Sequence, residues 1–112
     1  MAESFGVHHT RDDLIEHLFG IRFDPQALMR ALKWIENKLP ISNDRQVRNK
    51  KIFILYFGFD GVGAVDSVGL GSRFGLTSSA IRKIVDTIYK RLPKEVAQER
   101  ISAKNFVGDS DE

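Results

Sequence analysis

The stretch Arg73–Leu92, RFGLTSSAIRKIVDTIYKRL, decides how the chain folds. Gly75 supplies a backbone position that takes positive φ at low cost. Thr77 is placed to cap the helix that follows, by accepting a hydrogen bond from an amide two or three residues on. Ile81, Ile84, Val85, Ile88 and Leu92 recur at helical spacing and form one apolar stripe. Ser78, Ser79, Arg82, Lys83, Asp86 and Lys90 fall on the opposite side. Upstream, Leu70 and Phe74 lie one turn apart on a shorter helix of about 66–73, and the longer one spans about 77–91 before Pro93. Two amphipathic helices across a glycine turn have the layout of a helix-turn-helix, whose second helix enters the DNA major groove by its N-terminal end. An ordinary helical hairpin with a wet polar face is the plain alternative.

Working outward, the rest of the chain also reads as helix. Thr10 with Asp12 and Asp13 marks a start, and Leu14, Ile15, Leu18 and Phe19 share a face until Gly20. Asp24 then caps a second helix with Pro25 at its first position, where the missing N–H is harmless. Leu28, Leu32, Ile35 and Leu39 give it a stripe, and Pro40 ends it. Ser42, Asn43 and Asp44 offer caps for a third helix over about 44–57. Its run IFILYF fits a buried strand as well, but the cap and the basic turn before it favour helix. Gly58–Ser67 is a glycine-bearing connector. The expected architecture is all-α: a compact bundle of about five helices with a C-terminal helix-turn-helix. Residues 1–9 form a loose tail, 10–94 a single helical domain, and 95–112 a polar, partly disordered tail.

Composition narrows the function. The 112 residues are 42% hydrophobic, with eight Phe and one Trp, enough for one real core. With no Cys, disulfides and thiolate metal sites are excluded. No apolar run approaches membrane-spanning length, and MAESFGVHHT has no signal-peptide pattern, so a cytoplasmic location is expected. The net charge of +2 is uneven. Residues 1–41 hold five basic and six acidic groups, 42–94 hold ten and four, and 95–112 hold two and five. A positive middle segment suits a polyanion, and equally a solvated lysine-rich face.

If the polyanion is DNA, the small Ser78 and Ser79 let base edges come close. Arg82 is able to bind guanine bidentately, and Lys83 a base or a phosphate. The residues from Asp44 to Leu92 resemble region 4 of the sigma-70 family of transcription initiation factors. The likeness rests on Arg48, Ile52, Phe53, Leu55 and Phe57–Gly61, then Leu70-Gly71, Arg73–Thr77, Ile81–Ile84 and Lys90–Leu92. It covers somewhat under half of the chain. The resemblance implies a DNA-binding transcription regulator that contacts double-stranded DNA and the β flap of RNA polymerase, associated with the nucleoid. It places Thr77, Ser78, Ser79, Arg82 and Lys83 toward bases or nearby phosphates. Arg48 and Arg73 face the DNA backbone, and Lys50, Lys51 and Lys90 supply further backbone electrostatics. Ser78, Ser79 and Ala80 stand where that family usually carries charge, so base preference differs. Nothing here resembles region 2, which implies a stand-alone module like small phage or bacterial regulators.

One such module makes a small interface, so a partner is expected: a second copy, another regulator or RNA polymerase. Residues 1–40 either supply that contact or complete the core. The rival function is a protein-interaction module that binds polymerase or a host factor without reading DNA. The remaining constellations are weak. Adjacent His8 and His9, with His17 apart, lack ligand-like spacing, so no metal is expected. The glycines of DGVGAVDSVGLG match neither a dinucleotide fingerprint nor a P-loop, and no cofactor is expected. Asp12, Asp13, Asp60 and Asp66 suit caps and turns better than acid–base pairs. No nucleophile–base set stands out, so no enzyme activity is expected.

Overall fold

Each α-helix among the described residues starts on a side chain that caps it. The computed structural model describes residues 10–61 and 63–107. Helix α1 (Arg11–Phe19) starts at Thr10, whose hydroxyl accepts from the Asp13 amide while Asp13 reaches back to the Thr10 amide. Asp24 caps α2 (Pro25–Lys38) and Asn43 caps α3 (Asp44–Phe57). Asp66 caps α4 (Ser67–Phe74), and Thr77 caps α5 (Ser78–Gln98). Each cap satisfies one of the amides that a helix start leaves without an internal partner. Gly20, Gly58 and Gly75 close α1, α3 and α4 in the left-handed conformation.

The described residues contain five α-helices and no strand. Helix α5 is the organising element, packing against α4, α3 and α1, while α1 also meets α2. The stripe read from the sequence is largely its buried face: Ile81, Val85, Ile88 and Leu92 are buried and Ile84 is half-buried. They meet Leu14 and Ile15 of α1, the apolar face of α2, Ile52, Phe53, Tyr56 and Phe57 of α3, and Leu70 of α4 in one core. The connector after α3 is held to that helix, with the Val65 amide donating to the Leu55 carbonyl at 3.0 Å and Phe59 buried. No helix among the described residues is long and apolar enough to cross a membrane.

Two boundaries differ from the sequence reading. Pro93 does not end α5, which continues to Gln98 and buries Val96. The polar tail expected from residue 95 is, up to residue 107, part of the fold. A short 3-10 turn (Ala103–Asn105) delivers Phe106 into an aromatic group with Phe19, Phe23 and Trp34, at centroid distances of 5.4, 6.1 and 6.3 Å. Arg30 donates to the Phe106 carbonyl, and Lys38 ion-pairs with Glu99. These contacts outweigh a local sequence that looks polar. The tails expected at 1–9 and over 108–112 lie outside the described residues, as do His8 and His9.

Candidate nucleic-acid interface

The candidate interface is built on α4, α5 and the first half of α3. Gly75, Leu76 and Thr77 link α4 to α5. Gly75 sits at φ +69°, and the Leu76 amide donates back to the Gly71 carbonyl at 2.9 Å. A Cβ on Gly71 would stand 2.5 Å from the Leu76 carbonyl oxygen, so the turn closes onto bare backbone there. The Thr77 hydroxyl accepts from the Ala80 amide at 3.0 Å, which fixes the leading end of α5. Ser79 is exposed beside it and Ser78 is half-buried.

Arg82 and Lys83 are both exposed, but neighbouring helical residues point about 100° apart. Arg82 does not line the groove between α3 and α5, but it acts on the buried Tyr56 of α3. Burial pushes the Tyr56 phenol up from its ordinary value, Arg82 pulls it down and Asp66 pushes it up. Lys83 lines a groove between α3 and α5. Arg73 and Lys51 are exposed. Lys90 is exposed but ion-paired to Asp86 at 3.1 Å, which reduces its pull on an anion.

The groove between α3 and α5 has a volume of about 500 Å³. Leu39, Pro40, Leu76, Ala80, Ile84 and Ile88 give it an apolar floor. Arg48 and Lys50 stand on the α3 side, Lys83 and Arg91 on the α5 side, and no carboxylate among the described residues lines it. Arg48 is steadied by Asn49, whose side-chain carbonyl accepts from its Nε at 3.1 Å and its Nη2 at 3.0 Å. Among the described residues none of these four cations has a carboxylate at ion-pair distance. Arg22, by contrast, is paired with Glu16 at 3.6 Å, and Lys38 with Glu99. Such a surface attracts anions.

The structure therefore brings Arg48, Lys50 and Lys83 together and sets Arg82 apart from them. Arg91 was not singled out from the sequence. Its signal was the i, i+4, i+8 spacing of Lys83, Thr87 and Arg91, which puts all three on one stripe of α5. His17, weighed from the sequence as a metal ligand, stacks on Tyr89 at 3.9 Å between centroids and bonds its carbonyl through Nε2 at 3.1 Å. No family model, curated protein or solved structure matches this chain.

Proposed function

We propose that this protein is a DNA-binding transcription regulator in which α4 and α5 act as a helix-turn-helix. The observation that carries the reading is the set of uncompensated cations on α3, α4 and α5. Arg48, Lys50, Lys51, Arg73, Arg82 and Lys83 have no ion-pair partner among the described residues, and α1 and α2 do not cover Arg73, Arg82 or Lys83. The leading end of α5 enters the major groove, with Ser79 allowing close approach and Arg82 reading a base edge. Lys83, Arg48 and Arg73 hold backbone phosphates, and RNA polymerase or a second regulator supplies the further contact that one small module lacks.

The test is fluorescence-anisotropy binding to a randomised duplex pool at two salt concentrations, with sequencing of the bound fraction. An enriched motif and a log–log salt slope of about −4 to −5, from about five phosphate contacts, are expected. On the enriched site Arg82→Ala costs about 1–3 kcal/mol and relaxes preference at one base pair. An equal loss on every sequence would reassign Arg82 to phosphate. Absence of binding at low salt would sink the DNA reading in favour of a module that binds RNA polymerase or a host factor alone, to be sought by pull-down.

A further inference from the structure

We infer that the groove between α3 and α5 binds a nucleoside polyphosphate. Its size lies within the range of about 300–1,000 Å³ typical of small-molecule sites, at about 500 Å³. Cations line it from both helices, Arg48 and Lys50 from α3 and Lys83 and Arg91 from α5, and none is neutralised by a carboxylate among the described residues. Buried or half-buried apolar side chains, Leu39, Ile84 and Ile88 among them, line the same groove and make its floor. A phosphodiester backbone needs only the cations. An apolar floor in the same groove fits a ligand with two parts, a polyanion and a flat, weakly polar body. A nucleotide has that form, and the side chains of Gln46 and Asn49 on the α3 wall give the base polar neighbours.

The same chemistry sets the metal dependence. With no carboxylate among the described residues that line the groove, a divalent cation finds there no protein ligand of the kind it prefers. The four cations meet the phosphate charge directly, so magnesium on the nucleotide competes with them. Among the described residues that line the groove no carboxylate or histidine is placed to activate water, and the proposed role is binding. If α5 also binds DNA, Lys83, Arg48 and Lys50 are shared, and the nucleotide lowers DNA affinity. That last consequence rests on the reading above; nucleotide binding itself does not.

The decisive measurement is calorimetric titration of the full chain, without DNA, using ATP and GTP in EDTA, with tripolyphosphate and adenosine as controls. At least one of the two nucleotides is expected to bind at least tenfold more tightly than tripolyphosphate or adenosine. Excess magnesium should weaken it severalfold. Arg91→Gln, an exposed change checked for folding by circular dichroism, should weaken it about tenfold, the loss of one close charge-assisted contact. Tripolyphosphate binding as tightly as both nucleotides would reduce the groove to an anion patch and overturn the inference. So would no binding of either nucleotide, or an Arg91→Gln protein that binds as the parent does. Nucleotide binding with no DNA binding in the anisotropy experiment would refute the DNA reading alone.

Discussion

Gly71 shows how far a single residue escapes local rules. By helix propensity it weakens α4 by up to about 1 kcal/mol relative to alanine. In the fold a side chain has no room at this position, because the Leu76 carbonyl oxygen would lie 2.5 Å from the new Cβ. Gly71→Ala is therefore expected to destabilise the protein, by about 1–3 kcal/mol as overpacking usually does. Gly75→Ala meets no atom within 4 Å, yet its φ of +69° strains an L-residue by about 1–2 kcal/mol. Urea unfolding of the two variants separates the causes. Adding Leu76→Ala changes neither backbone, so it should relieve neither loss. Gly71→Ala at parental stability would mean that the α4–α5 turn shifts freely. The turn glycine was legible in the sequence because positive φ has a residue signature. The close approach at Gly71 was not, since it depends on how two segments meet.

At the scale of the element, α5 shows why a proline is a weaker stop than its local chemistry suggests. Pro93 has no N–H, so the Tyr89 carbonyl one turn back loses its intrahelical donor. His17 of α1 fills the gap. Its Nε2 lies 3.1 Å from that carbonyl, which only accepts, so Nε2 carries the proton, and its ring stacks on Tyr89 with an interplanar angle of 11°. Tyr89 in turn stacks on Phe57 of α3. The helix survives its proline because a neighbour supplies the missing donor and because Val96 is buried beyond it. Two substitutions test this. His17→Ala should cost about 1 kcal/mol for the hydrogen bond, with a further loss from the stacked pair. Pro93→Ala should raise stability, by at most about 3 kcal/mol, because a new amide reclaims the carbonyl. In the double variant the hydrogen-bond part of the His17 loss should vanish, leaving a coupling of at least about 0.5 kcal/mol in a denaturation cycle. Strict additivity would show that His17 and Pro93 act independently. The helix starts were legible because Thr10, Asp24, Asn43, Asp66 and Thr77 carry their own acceptors. The end of α5 was not, because its cause sits 76 residues away in α1, at His17 against Pro93.

For the whole molecule, the five-helix core follows from apolar stripes at helical spacing, whereas closure of the N-terminal half does not. Leu14, Leu28, Ile52 and Ile81 announce themselves by periodicity and all are buried. Phe106 follows Lys104 and Asn105 in a stretch with no apolar period to mark it, and is 7% exposed. The same asymmetry holds for the candidate site: the cations of α5 stand out in the sequence, while the groove that gathers them with Arg48 and Lys50 exists only once α3 packs on α5. Phe106 ties the chain beyond α5 back to α1 and α2 by packing on Phe19, Phe23 and Trp34, with Arg30 on its carbonyl. Its loss opens a cavity bordered by three aromatic rings, none of which lines the groove between α3 and α5. Phe106→Ala is therefore expected to cost about 3 kcal/mol, the lower end for a buried phenylalanine at the rim of a core. Val107→Ala, next in sequence but 39% exposed, should cost less than about 0.5 kcal/mol. The sole tryptophan, Trp34, reports the change directly, because removing the edge-on Phe106 ring lets water reach it and red-shifts its emission. DNA and nucleotide affinity should stay within twofold under conditions where the variant remains folded. A Phe106→Ala protein with parental stability and emission would return residues 101–107 to the status of a tail. A variant that lost ligand affinity while still folded would show that the packing around Phe106 and the groove are coupled through α5.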